Sequence, residues 1–97
     1  APDAGAAVGA DYRNRKGLRY PPQAMRRREE GTVTLRVYVN ESGDPDTVEM
    51  QRSSGSRFLD QAAMRAVRTW KFRPGTKDGR AVGGWVIVPI QFRLTDN

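Results

Sequence analysis

The sequence predicts an α+β fold of two layers, in which two helices pack on one face of a three-stranded antiparallel sheet. Residues 32–39 and 85–94 alternate apolar and polar side chains, and residues 57–70 carry one apolar stripe at helical spacing. Turn residues separate these segments, so the elements follow the order helix, strand, strand, helix, strand. A chain of 97 residues has room for one hydrophobic core, and we expect a single folded domain.

The first eighteen residues show neither helical nor alternating periodicity. Small residues fill positions 1–10, and a basic cluster follows over positions 13–19. We therefore expect residues 1–18 to be a flexible linker remnant and residues 19–97 to be the folded domain. Because the first residue is alanine and not methionine, we also expect a fragment or a processed product.

A first helix is predicted over residues 23–30. Pro21 and Pro22 precede it, and a proline is preorganised for a helix start, while Gly31 ends the run of helix formers. Ala24 and Met25 are its expected buried residues. The arginines at 26–28 are better explained as a solvated face than as a dedicated anion site, because two glutamates follow them.

A hairpin is predicted next. Residues 32–39 place four apolar side chains on one side of a strand, residues 40–45 have turn chemistry, and residues 47–52 return as the antiparallel partner. A second helix over residues 57–70 follows, with Ser56 as its N-cap and Asp60 and Arg68 placed favourably for the helix dipole. Trp70 and Phe72 are expected to close the end of the core.

The closing strand, residues 85–94, is expected at an edge of the sheet. A right-handed crossover places it beside the first strand, which gives the strand order 2-1-3 with antiparallel neighbours. Pro89 fits an edge because proline has no backbone N–H to donate. Alternate residues of a strand direct their amides to opposite edges, so the far edge offers backbone groups to an incoming strand. Those groups belong to Trp85, Ile87, Pro89, Gln91 and Arg93.

Composition excludes several classes of function. Cysteine and histidine are both absent, which removes thiolate chemistry, the commonest general base and the commonest metal ligand. The serines at 53, 54 and 56 have no base to activate them, so we expect no enzyme, no metal and no cofactor. No apolar run is long enough to span a membrane. The net charge of +6 favours acidic partners, but the aromatic pattern of an RNA-binding sheet is missing, so nucleic acid is not expected.

Ordered motifs over about three quarters of the chain resemble the C-terminal domain of the TonB family. They are Tyr20-Pro21, Gly31-x-Val33-x-Leu35, Gly43, Ser53-Ser54-Gly55, Leu59-Asp60-x-Ala62-Ala63, Val67-Arg68-x-Trp70-x-Phe72-x-Pro74, Gly79 and Val88-Pro89-Ile90-x-Phe92-x-Leu94. Each piece is weak alone, whereas the ordered combination is specific to the family.

The resemblance implies the periplasmic end of a single-pass inner-membrane protein of a Gram-negative bacterium, with its N-terminal anchor missing here. Its implied partners are ExbB and ExbD, through the missing part, and outer-membrane transporters of siderophores, haem or cobalamin. The domain would bind the TonB box of a transporter by strand addition and pass on energy derived from the proton-motive force. The implied contact residues are Gly84, Trp85, Val86, Ile87, Val88, Pro89, Ile90, Gln91 and Arg93, with a secondary contact at Arg19, Tyr20, Pro21 and Gln23.

Three alternatives stay open from the sequence. The domain could belong to a TonB-like or TolA-like transducer that serves another envelope process. An edge strand could also pair with a second copy of the chain, which would give a homodimer. Trp85 could contact a receptor, contact a dimer partner or cover the sheet.

Overall fold

The computed structural model describes residues 17–94 together with the backbone of Ala7–Val8. Within these residues the helices are α1 (Pro22–Arg26) and α2 (Arg57–Val67). Its strands are β1 (Ala7–Val8), β2 (Gly31–Val39), β3 (Pro45–Arg52), β4 (Phe72–Arg73), β5 (Gly75–Lys77), β6 (Arg80–Val82) and β7 (Gly84–Phe92).

The central sheet has the order β3-β2-β7, and both neighbouring pairs are antiparallel. This confirms the predicted order 2-1-3. The pairing of β2 with β7 runs from Gly31 opposite Phe92 to Val39 opposite Gly84 without a register shift. The pairing of β2 with β3 contains two shifts, between Thr34 and Leu35 and between Tyr38 and Val39. The two sides of β2 therefore differ in regularity.

The hydrophobic core lies between this sheet and the helices. Alternate side chains of β2 and β7 and one stripe of α2 supply it, as expected from periods of two and 3.6 residues. Trp70 and Phe72, which are 2% and 4% exposed, close one end as predicted. The other core residues are Ala24, Val33, Leu35, Val37, Val39, Leu59, Ala63, Ala66, Val67, Val88, Ile90 and Phe92.

The first helix is shorter than predicted, because α1 ends at Arg26 and not at residue 30. Arg28 adopts a positive φ of 54°, and the amide of Glu29 donates to the carbonyl of Ala24, so the chain leaves the helix in a tight turn. The prediction that Met25 is buried is wrong: Ala24 faces the core, whereas Met25 is 50% exposed. Neighbouring helical residues point about 100° apart, so a single-turn helix on a sheet buries few of them.

The second helix also ends early, at Val67 and not at Trp70. The amides of Thr69 and Trp70 donate to carbonyls three residues back, which tightens the last turn, and the Thr69 hydroxyl donates to the Ala66 carbonyl at 2.7 Å. Ser56 is the predicted N-cap, and its hydroxyl oxygen accepts from the Leu59 amide at 3.3 Å. This prediction is confirmed.

Two short pairings were not predicted. β5 and β6 form a small hairpin around Asp78 and Gly79, both of which have positive φ as a type I′ turn requires. β1 pairs with β4 and falls within the stretch expected to be a linker. The rest of that stretch, apart from residues 17 and 18, lies outside the described residues, as do residues 95–97 of the expected domain.

Gly43 joins the first hairpin to the end of the core. It has a φ of +87°, and its carbonyl accepts from the Phe72 amide at 2.8 Å. A Cβ at this position would lie 2.3 Å from the Phe72 carbonyl oxygen. Gly79 has a similar φ of +78°, but a Cβ there would meet nothing within 4 Å. Substitutions at the two glycines can therefore distinguish the cost of backbone strain from the cost of a steric clash.

We expect Gly43→Ala to lower the free energy of unfolding by about 2–4 kcal/mol, because the methyl group displaces backbone as well as straining φ. Gly79→Ala is the matched control and should cost about 1 kcal/mol from strain alone. Urea unfolding of both variants measures the difference. Equal losses would mean that the contact with Phe72 is not the cause.

Candidate partner-binding edge

β7 is an edge strand of the central sheet. It pairs with β2 on one side, and among the described residues no strand pairs with it on the far edge, the edge that faces away from β2. β1 pairs with β4 and approaches β7 to within 8 Å between Cα atoms. An incoming strand therefore has one long candidate position in the described part of the molecule.

Side chains of β7 alternate between the core and the solvent face of the sheet, the face opposite the helices. Val88 and Ile90 are buried among the helices, so of the predicted contact residues these two can offer only backbone to a partner. Trp85 and Ile87 are 42% and 46% exposed on the solvent face. Gln91 and Arg93 are also exposed.

The position of Pro89 indicates which amides of β7 face the far edge. Pro89 lies opposite Thr34 within the unshifted β2–β7 register. Because proline has no N–H, the ladder keeps its full set of hydrogen bonds when residue 89 directs its nitrogen away from β2. The amides of Trp85, Ile87 and Gln91 share that direction, since amide direction repeats every second residue.

Trp85 is held on the solvent face by two residues of β2. The Tyr38 ring meets the indole edge to face, with 5.3 Å between centroids, and the Arg36 guanidinium lies 3.9 Å from the indole centroid. Arg36 also pairs with Glu49 across the sheet, at 3.5 Å between nitrogen and oxygen. The indole therefore covers part of the sheet while a large fraction of it stays open to a partner.

The opposite edge of the sheet, β3, is a poorer template for strand addition. Its pairing with β2 has two register shifts, and it begins with a proline. Asp46, Glu49 and Arg52 place exposed charges along it. Bulges, prolines and charges are the features that proteins use to prevent edge pairing, and β7 has only Pro89 among them along its paired length.

The predicted secondary contact lies in one groove. Arg19, Tyr20, Pro21 and Gln23 line a groove of about 780 Å³ together with residues of α2. The α2 residues are Phe58, Gln61, Ala62 and Arg65. The groove starts at the Phe92 end of β7, because the Tyr20 ring packs edge to face on Phe92 with 5.5 Å between centroids.

Hydrogen bonds link the segment before α1 to the segment after it, and that segment to the residues that follow β7. The Tyr20 hydroxyl donates to the Glu29 carbonyl, and the Leu94 amide donates to Glu30 Oε2 at 2.8 Å. Burial raises the pKa of Tyr20 above its ordinary value of 10.0, and the Glu30 and Glu29 carboxylates raise it further. The phenol is therefore protonated at neutral pH and remains a donor.

Sequence reasoning missed the groove wall and the support of Trp85. Residues 58, 61, 62 and 65 recur at offsets of three, four and seven, which is a second helical stripe beside the buried one and could have been found. The contact of Arg36 with Trp85 needed the β2–β7 register, because Arg36 lies diagonally from Trp85 and directly opposite Ile87.

Among residues 17–94 no three histidine, cysteine, aspartate or glutamate side chains converge as a metal site. The same part of the chain contains no helix with the length and apolarity to cross a bilayer.

Comparisons with known proteins identify relatives of the whole described region. Residues 16–94 match the family described as Gram-negative bacterial TonB protein C-terminal. Protein tonB2 of Pseudomonas aeruginosa is 48% identical over 88 residues, which cover 91% of this chain and 33% of that protein. Protein TonB of Xanthomonas campestris pv. campestris is 41% identical over 92 residues, covering 95% of this chain and 41% of that protein. The chain therefore spans well under half the length of these relatives.

A solved structure shares the fold. The solution NMR structure of the Pseudomonas aeruginosa TonB CTD superposes with a TM-score of 0.69 at 25% identity, covering 82% of this chain and 81% of that one. Together with the family match, this confirms the resemblance and the two-layer α+β fold expected from the sequence.

We expect Arg36→Gln to lower the free energy of unfolding by about 0.5–1 kcal/mol, because it removes the cation–π contact with Trp85 and a weak exposed ion pair. Acrylamide, a neutral quencher that does not respond to the lost charge, should then quench the exposed tryptophan more strongly. Arg52→Gln is the control, since Arg52 is an exposed β3 arginine without a salt bridge to any described residue. Equal effects from both substitutions would contradict a specific role of Arg36.

Proposed function

Because the chain belongs to the family of Gram-negative bacterial TonB protein C-terminal domains, we propose that it is the receptor-binding domain of a TonB-type energy transducer. Family membership also bears out the prediction that the chain is not an enzyme. In the proposed role it is the periplasmic C-terminal part of a single-pass inner-membrane protein that works with ExbB and ExbD. Its partners are outer-membrane transporters of siderophores, haem or cobalamin.

The binding mode that the geometry supports best is strand addition to the far edge of β7. One observation carries it: a nine-residue strand without a register shift lies at the edge of the sheet. Each backbone hydrogen bond to an added strand contributes about 0.5–1.5 kcal/mol net, so a few bonds give modest affinity. Backbone pairing also tolerates varied side chains, which suits one transducer with several transporters.

Residues 84–88 are the favoured contact segment. Gly84 precedes Trp85 and has no side chain, so this end of β7 allows close approach of another backbone. The space beside Gly83 is taken by Tyr38, whose hydroxyl lies 2.4 Å from where a Cβ of residue 83 would be. Pro89 supplies no donor and interrupts the row of amides towards Gln91. A side chain of the added strand that lies abreast of Trp85 or Ile87 would also point to the solvent face and pack against them.

A longer partner segment would reach the secondary contact. Continuing past Phe92, it meets the groove that starts at Tyr20 and carries Arg19 and Arg65 on its walls. Acidic residues flanking the paired segment would be attracted to these arginines, mainly raising the association rate and losing effect with salt. A homodimer formed through the same edge would compete with the transporter, because one edge accepts one strand.

Amide chemical shifts during titration with TonB-box peptides from candidate transporters test the proposed mode. We expect shifts concentrated in residues 84–88 and a smaller response around Tyr20. A matched peptide that is N-methylated on alternate residues keeps its side chains and loses backbone donors, and it should bind at least tenfold more weakly. If every peptide shifted amide signals elsewhere and none shifted those of β7, strand addition would be rejected. A transducer serving another envelope process would then be favoured.

A pair of proline substitutions locates the contact along β7. Counting amide direction in steps of two from Pro89, we expect Ile87→Pro and Gln91→Pro each to remove an amide that faces the far edge and to leave the bonds to β2 in place. We expect Ile87→Pro to weaken peptide binding about tenfold and Gln91→Pro to leave it within about twofold. Calorimetric titration measures both, and thermal unfolding verifies that each variant is folded. The reverse ranking would move the contact to residues 90–94.

A further inference from the structure

The helix layer carries a dense group of exposed arginines, of which only the two that line the groove, Arg19 and Arg65, take part in the proposed partner contact. We refer to it as the arginine face. Its members are Arg19, Arg26, Arg27, Arg28, Arg57, Arg65 and Arg68.

Contacts and spacing show that the arginine face is continuous. Arg19 and Arg65 line the same groove, and the guanidinium carbons of Arg27 and Arg57 each lie 5.5 Å from the centroid of the Phe58 ring. Arg57, Arg65 and Arg68 are also exposed along the side of α2 opposite its buried stripe. Phe58 therefore brings together two guanidinium groups, one from the C-terminal end of α1 and one from the N-terminal end of α2.

The arginine face is not neutralised by carboxylates of its own layer. Within residues 17–94 none of its arginines forms a salt bridge; the two described salt bridges join Arg36 to Glu49 and Lys71 to Asp44. The three carboxylates of the helix layer accept hydrogen bonds from other groups instead. Glu29 accepts from Ser56, Glu30 from the Leu94 amide, and Asp60 from Ser53 and Ser54.

The clustering of arginines on one face does not stabilise the folded domain. Like charges crowded on one surface repel each other, whereas mixed charges at helical spacing would attract. All members of the face are arginine, and the planar guanidinium matches a phosphate with two parallel hydrogen bonds, which a lysine ammonium does not. A phosphate-bearing partner therefore fits the face best.

Met25 distinguishes a bilayer from a dissolved anion. It is 50% exposed on α1, directly before the arginines at 26–28. A soluble phosphate compound would leave this side chain in water. At a phospholipid surface, arginines contact the headgroups while a neighbouring apolar side chain enters the boundary with the acyl chains.

We propose that the arginine face docks the domain on a bilayer surface that contains anionic phospholipid. This contact would be additional to the inner-membrane anchor of the proposed transducer. The helices cover the sheet face opposite Trp85, so docking through them leaves the solvent face and the far edge of β7 accessible. The domain would then search for transporters along a membrane surface instead of through the full volume.

Vesicle co-sedimentation tests the proposal with the whole chain. At low ionic strength we expect binding to vesicles containing about one third phosphatidylglycerol in phosphatidylcholine, and none to phosphatidylcholine alone. The triple variant Arg27→Gln/Arg57→Gln/Arg68→Gln, which spares the two groove arginines, should lose about 100-fold in partitioning. The matched control Arg52→Gln/Lys77→Gln/Arg80→Gln removes the same charge elsewhere and should lose less than about threefold.

A separate variant tests the apolar element. Met25→Ser leaves the charge unchanged and should weaken vesicle binding about fivefold. Equal losses in the two triple variants would overturn the proposal, because net charge alone would then explain binding. Binding of a glutamate-rich peptide to the arginine face without binding to vesicles would also overturn it, in favour of an acidic protein partner. Peptide binding at β7 should survive in every variant, which separates this proposal from strand addition.

Discussion

The continuous pairing of β2 with β7 determines most of what the molecule presents to a partner. Nine residue pairs without a shift give every position of β7 a definite side and a definite amide direction. Val88 and Ile90 thereby enter the core, and Trp85 and Ile87 reach the solvent face. A shift of one residue would exchange these two sets and expose the apolar side chains that hold the helices. The edge strand and the core are thus specified by the same pairing.

The regular patterns of the sequence were sufficient to predict the central sheet. They were not sufficient to predict the short elements. The period of two in β2 and β7 and the stripe in α2 identified these elements and the strand order, because each depends on many residues. Met25 was misplaced because α1 has a single turn, where position relative to the sheet outweighs local pattern. The β5–β6 hairpin escaped notice because three-residue strands show no measurable period, although Asp78-Gly79 is a strong turn signal. The position of β7 at the edge of the sheet, with Pro89 in it, could be predicted from the strand order. The groove could not, because it depends on how α2 lies against Tyr20.

The molecule separates its surfaces by chemistry. The far edge of β7 provides directional backbone groups next to an anchored aromatic side chain, and the helix layer provides unneutralised guanidinium groups. Acidic residues of the β2–β3 turn, such as Glu41 and Asp44, lie at the end of the sheet away from Tyr20. Such a division allows directional pairing and long-range attraction to operate on different sides of one small domain.

The ties around Tyr20 and Glu30 have a mechanical consequence. Tension applied to the chain ahead of residue 17 arrives at Tyr20, whose ring bears on Phe92, and at Glu30, whose carboxylate holds the amide of Leu94. Load therefore passes from the entering chain to the Phe92 end of β7 through a few contacts at one end of the molecule. The core between α2 and β2 does not lie on this path. Force transmitted to a bound receptor therefore need not deform the core.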